Sequence, residues 1–212
     1  MHRTLFSILL FLIVFALTTQ CAFAQSVSFI PNAGISKDMR SKTSNRWNLG
    51  FDVGLNGFLS VAGPISIGGR VAYHSWGADG QGWADDYVKD IGGGYTYNLE
   101  SSSGSQSLIE IVPSARYALL PAISPVQLDL QVGVGLFLVG SSDVSISGSY
   151  RSAFSTGHAN VTFSNSSMTG VGGQVGLPLT FAGRIQILPL YTLYSAGGDL
   201  YHHITLNAGV VL

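Results

Sequence analysis

The chain has 212 residues, of which 46% are hydrophobic and only 10% charged, with 27 glycines and one cysteine. A soluble domain usually carries roughly 25% charged residues, so this composition argues against an ordinary water-facing surface. A formal net charge of −1 also excludes the basic footprint of a nucleic-acid-binding protein.

The N-terminus reads as an export signal. His2 and Arg3 precede an apolar run from Leu5 to Leu17, and Ala22-Phe23-Ala24 supplies a small-x-small cleavage site. That run is too short to cross a bilayer as a helix. Cleavage of residues 1–24 takes the lone cysteine, Cys21, with it and leaves a mature chain of 25–212 with no thiol. Gln20 departs from the small residue a lipoprotein signal places before its cysteine.

The mature chain alternates with a period of two. After a weak first strand at 27–36, the stretch RWNLGFDVGLNGFL sets Trp47, Leu49, Phe51, Val53 and Leu55 against Asn48, Gly50, Asp52, Gly54 and Asn56. Successive side chains leave a strand on opposite sides, so this is a strand with one apolar and one small or polar face. The pattern recurs at 64–76, 108–119, 126–139, 170–181, 184–194 and 200–212, predicting eight strands in all. Each is about as long as the 9–11 residues a tilted strand needs to cross a bilayer. Every charge in the strand cores (Asp52, Arg70, Glu110, Arg116, Asp129) falls in the polar phase.

The connections decide which face points inward. Short ones at 59–63, 120–125 and 182–183 alternate with long ones at 37–45, 77–107 and 140–169 and a shorter fourth at 195–199. Sandwich loops have no reason to sort this way, whereas outer-membrane barrels pair short periplasmic turns with longer external loops. The predicted fold is therefore all-β: an eight-stranded antiparallel up-and-down transmembrane barrel with both termini periplasmic. Trp47, Tyr73, Trp76, Tyr194 and Tyr201 are expected as an external aromatic girdle, and Phe58, Tyr117 and Phe181 as a periplasmic one.

With its export signal, its alternating strands and its terminal ITLNAGVVL, the chain resembles small bacterial outer-membrane β-barrel proteins of the OmpA-like and OmpX-like eight-stranded type. The resemblance spans nearly the whole mature length. It implies outer-membrane lipid and lipopolysaccharide as surroundings. It also implies a barrel-assembly machinery that reads the last strand through Ile204, Leu206, Ala208, Val210 and Leu212, although such strands usually end in an aromatic residue.

Lumenal chemistry follows from hairpin arithmetic. Pairing Phe58 with Pro64 puts Asp52 opposite Arg70, and pairing Leu119 with Val126 puts Arg116 opposite Asp129. Two lumenal salt bridges are expected, because unpaired charges in a narrow lumen are costly. Glu110 has no partner by this reasoning. The inward glycines are read as relief of crowding where strands coil.

His74-Ser75, His158, His202 and His203 raise the possibility of a lipid-modifying enzyme, but no Gly-x-Ser-x-Gly elbow accompanies them. His202 and His203 leave their strand on opposite faces and cannot easily share one ion with Asp199. No catalytic residue, metal or cofactor is therefore assigned. The expected function is a non-enzymatic envelope or surface-interaction role, with an extracellular ligand meeting the loops 77–107 and 140–169; a narrow solute pore is the alternative.

Overall fold

The structure, a computed structural model, describes residues 26–39, 46–92, 94–120 and 124–212. The expected leader 1–24, including Cys21, lies outside the described residues, as do 40–45 of the first long connection.

Eight staves close into a barrel. They are β1 (Val27–Asp38), β2 (Gly50–Ala62), β3 (Ile65–Gly77), β5 (Ser105–Ala118), β6 (Val126–Ser141), a broken stave made of β9 (Met168–Gly176) and β10 (Leu179–Phe181), β11 (Ile185–Ala196) and β12 (Asp199–Val210). Each pairs antiparallel with its neighbours, and pairing of β1 with β12 closes the ring. The break falls at Leu177-Pro178, where proline has no N–H for the ladder and its carbonyl instead accepts from Asp129 N at 2.9 Å.

The barrel is inside out relative to a soluble one. Val53, Val71, Ile111, Leu136, Val171 and Leu206 face outward and exposed, while Asn32, Asp52, Asn56, Arg70, Gln131, Gln174, Thr205 and Asn207 are buried in the lumen. An apolar band around a polar interior is stable only where the outside is hydrocarbon, so the chain is a transmembrane barrel. No helix among the described residues is long and apolar enough to cross a membrane.

The register departs from the expected hairpins by an even number of residues, which preserves which face points inward. β2 and β3 meet through a tight turn at Gly63-Pro64, with Gly63 at φ 50° and a bulge between Ser60 and Ala62. The tighter turn places Asp52 opposite His74 and Asn56 opposite Arg70. On β5 and β6, Arg116 faces Gln131, and Asp129 faces Ala118.

The inward glycines permit close strand approach. A Cβ on Gly68 would lie 1.8 Å from the Gly57 carbonyl oxygen, and one on Gly135 would lie 2.2 Å from that of Ile111. Both sites abut backbone, so the missing side chains leave no open lumenal space there.

The long connections are folded. The third connection contains a helix, α1 (Gly80–Ile91), and β4 (Thr96–Ser103); the fifth forms β7 (Val144–Arg151) and β8 (Thr156–Phe163). β4, β7 and β8 make a separate three-stranded sheet. Alternation continues in the stretches DVSISGSY and NVTFSNS, which become β7 and β8, whereas the helix breaks that rhythm. Asp79 caps α1 by accepting from Gly82 N at 3.3 Å, and Trp83 and Ala84 are buried beneath it.

Candidate functional site

Three tiers fill the lumen. At the end bearing the short turns, Arg116 lies over the Phe58 ring at 3.7 Å and donates to Gln131 Oε1 at 2.9 Å and Gln186 Oε1 at 3.3 Å. The expected Arg116–Asp129 bridge is replaced by these contacts, and no ion pair joins the two among the described residues. The register moves Asp129 two positions from where the hairpin arithmetic put it, and two glutamine oxygens take its place.

The middle tier centres on Arg70. Its Nε donates to Glu110, its Nη2 to Asp52, and its Nη1 to Asn32 Oδ1 at 2.8 Å. Asp52 is thus a partner of Arg70 although it does not sit opposite; a guanidinium on a long stem bridges the offset. Glu110, left without a partner by sequence, is the second carboxylate on the same fork. Gly54 makes room for it, since a Cβ there would stand 2.9 Å from Ala72 Cβ and 3.2 Å from Arg70 Nη1. All three charged side chains are excluded from solvent.

Two histidines complete this tier. His74 Nε2 lies 3.4 Å from Glu110 Oε2, His203 Nε2 lies 3.9 Å from the same oxygen, and the two rings meet edge to face at 4.9 Å. His74 Nδ1 faces Asp52 Oδ2 at 4.0 Å. The even-numbered phase of β3 and the odd-numbered phase of β12 already pointed both rings inward; what the sequence did not reveal was that β12 and β5 face each other across the barrel.

The upper tier is aromatic. Phe137 stacks on Tyr194 at 4.8 Å, Tyr194 on Tyr201 at 5.2 Å, and Trp76 on His74 at 5.5 Å with an interplanar angle of 6°. This corrects the expected girdles. Trp47, Trp76, Tyr194, Tyr201 and Phe58 are buried inside the molecule, while Tyr73, Tyr117 and Phe181 remain on the outer surface. Strand phase is the reason: Trp76, Tyr194, Tyr201 and Phe58 share the parity of their strands' lumenal residues, and the rings plug the barrel instead of ringing it.

Above the plug sits the folded platform. Trp83 packs edge to face on Trp47 at 5.9 Å and against Phe163 at 4.8 Å. Arg46 covers its face at 4.5 Å while pairing with Asp86 at 2.8 Å. Tyr97 ties β4 to β8 by donating to Ala159 O at 2.9 Å. Burial, with Tyr87 and Glu100 nearby, raises the Tyr97 hydroxyl above its ordinary pKa and keeps it a donor. On the outer side, a cleft of about 350 Å³ is lined by Asn98, Tyr150, Arg151, Thr156 and His158.

The histidines do not form a nucleophilic site with the serine beside them. His74 is lumenal, whereas Ser75 lies on the opposite face of β3. His202 faces outward near Tyr191 Oη at 3.5 Å, and His158 stands 3.6 Å from Glu100 on the platform.

Fold and lumen together define a small, plugged transmembrane β-barrel of the kind the terminal strand and alternation resemble. No protein-family model matches the chain, and no curated protein matches it. Among solved structures, it is similar to Neisserial surface protein A at 16% identity and a TM-score of 0.46, over 90% of this chain and 99% of that one. It is also similar to Ail, the attachment invasion locus protein of Yersinia pestis, at 13% identity and a TM-score of 0.45, over 89% and 98%. The outer membrane enzyme PagL is similar at 12% identity and a TM-score of 0.42, over 86% and 98%. At these values the likeness concerns architecture alone.

Proposed function

We propose that this protein is an outer-membrane barrel, closed to solutes, that presents a rigid external platform for contact with extracellular molecules. The observation that carries the reading is the platform itself. Connections of this length are commonly mobile loops, yet here α1, β4, β7 and β8 pack on Trp47, Trp83, Tyr97, Val144 and Ile146, continuous with the apolar filling of the barrel mouth. A binding surface held on a packed core loses little entropy on engagement. The outer cleft, with Tyr150, Arg151 and His158, suits a polar, hydrogen-bonding ligand.

In this reading, residues 1–24 direct export, the assembly machinery engages Ile204 to Leu212, and the apolar band faces lipid and lipopolysaccharide with the termini on the periplasmic side. The stacked plug argues against the pore alternative. Separation of Ser75 from His74 argues against a lipid-modifying enzyme built on that pair.

The test uses the chain folded into lipid vesicles. Heat-modifiable gel migration reports the barrel, planar-bilayer recording reports conductance, and a glycan and matrix-protein array reports binding with and without the 144–163 hairpin. The expected result is a folded barrel, no discrete conductance steps, and array binding that disappears with the hairpin. Regular conductance steps, or binding indifferent to the deletion, overturn it.

A further inference from the structure

The middle tier holds more polar capacity than its hydrogen bonds use. None of the ring nitrogens of His74 and His203, nor Oε2 of Glu110, makes a well-aligned hydrogen bond among the described residues, although the three side chains are only about 1% exposed and His74 Nε2 stands 3.4 Å from that oxygen. Buried polar groups are normally satisfied, and what sets this cluster apart from other unpartnered lumenal atoms is that three potential ligand atoms, the two Nε2 and Glu110 Oε2, converge on one point.

The geometry indicates what that occupant is. Arg70 engages Glu110 Oε1 and leaves Oε2 free, and the two Nε2 atoms approach Oε2 at 3.4 and 3.9 Å. One ligand atom from each residue lies within 4.8 Å of the others. Ligands held about 2.0–2.1 Å from a tetrahedral zinc ion stand roughly 3.3–3.5 Å apart, so modest inward rotation of His203 completes three corners. Asp52 Oδ2 lies 4.0 Å from His74 Nδ1, so a small rotation of the ring on metal binding would let this carboxylate orient the imidazole from behind. The cluster also has two carboxylates against one guanidinium, an excess of negative charge that a cation offsets.

We infer that His74, Glu110 and His203 form a lumenal site for a transition-metal dication of the zinc class, with a fourth position left to water. Two imidazoles and one carboxylate select such a metal over calcium or magnesium, which prefer all-oxygen shells. The ligands come from β3, β5 and β12, and three staves separate β5 from β12 around the ring. The ion therefore pins opposite walls together. The ring of Trp76, 5.5 Å from that of His74 and 5.9 Å from that of His203, closes the external side, so the metal enters as the barrel forms and leaves slowly afterwards.

The experiment refolds the mature chain from urea into detergent with Zn²⁺ or Co²⁺. Free metal is removed on a chelating resin, bound metal is counted by mass spectrometry, and the barrel is verified by gel migration in the same sample. The expected result is about one metal per folded chain, with the absorption bands of tetrahedral cobalt. His74→Gln and His203→Gln should each lower occupancy at least tenfold while still migrating as barrels; His158→Gln and His202→Gln should leave it unchanged. Folded wild-type barrel without metal, or full occupancy in His203→Gln, overturns the site. Should the lumenal variants fail to fold, X-ray absorption of the wild-type cobalt form decides: two imidazoles in the shell uphold the site and none refutes it.

Discussion

Replacing Arg70 with methionine tests the lumenal reading most directly. Arg70 serves Glu110, Asp52 and Asn32 from one guanidinium, and all three charged groups are sealed from solvent. Methionine keeps much of the stem's volume but, in barrel refolded with a chelator so that no metal is bound, leaves two carboxylates facing each other without a counter-charge. Breaking a buried ion pair from one side costs about 3–5 kcal/mol. That is roughly a 10²- to 10⁴-fold fall in the folding equilibrium constant, at 1.36 kcal/mol per decade. The assay is urea unfolding in lipid vesicles followed by tryptophan fluorescence, since Trp47, Trp76 and Trp83 all sit in the barrel mouth and platform. A triple variant, Arg70→Met with Asp52→Asn and Glu110→Gln, removes the orphaned charges and should recover more than half of the loss. A single variant within about 1 kcal/mol of wild type, or a triple variant no better than the single, refutes the idea that mutual charge compensation holds this tier.

Other outcomes follow from the same structure. Val134→Lys, at the centre of β6 where Val134 is 73% exposed, should destabilise the folded barrel in lipid by about 2–4 kcal/mol and reduce folding yield; a neutral effect would mean that face meets water. Gly68→Ala should cost about 1–3 kcal/mol because its Cβ meets the Gly57 carbonyl, while Gly57→Ala, whose nearest neighbour is a Phe29 ring atom at 3.5 Å, should be nearly silent in the same unfolding assay. Trp83→Ala should open the platform to external protease at 80–103 while heat-modifiable migration persists; unchanged cleavage would show that the Trp47–Trp83–Phe163 contact does not hold it.

Much of the site was legible once strand phase was taken literally. Parity put Asp52, Arg70, His74, Glu110, Arg116 and His203 in the lumen, and the structure buries all six there. The expected girdles fail where rim position and parity conflict: Trp76 shares its phase with Arg70 and His74, and Tyr201 with His203. Helix α1 lies between alternating stretches, yet Asp79 followed by Trp83 and Tyr87 four residues apart is a cap and an apolar stripe at helical spacing.

The sequence by itself determined the two faces of every stave, because side-chain direction in a strand depends only on whether a position is odd or even. It also determined the number of staves, since each alternating run is bounded by turn residues. Pairing was another matter. A register slip of an even number of residues leaves every face unchanged yet moves the partner of Asp52 four positions, from Arg70 to His74, and that of Arg116 two, from Asp129 to Gln131. Closure of β1 on β12 then brings His203 across the lumen to Glu110, 93 positions away along the chain. Local chemistry encodes direction residue by residue, whereas register and closure are properties of the whole ring, and they decide which lumenal groups meet.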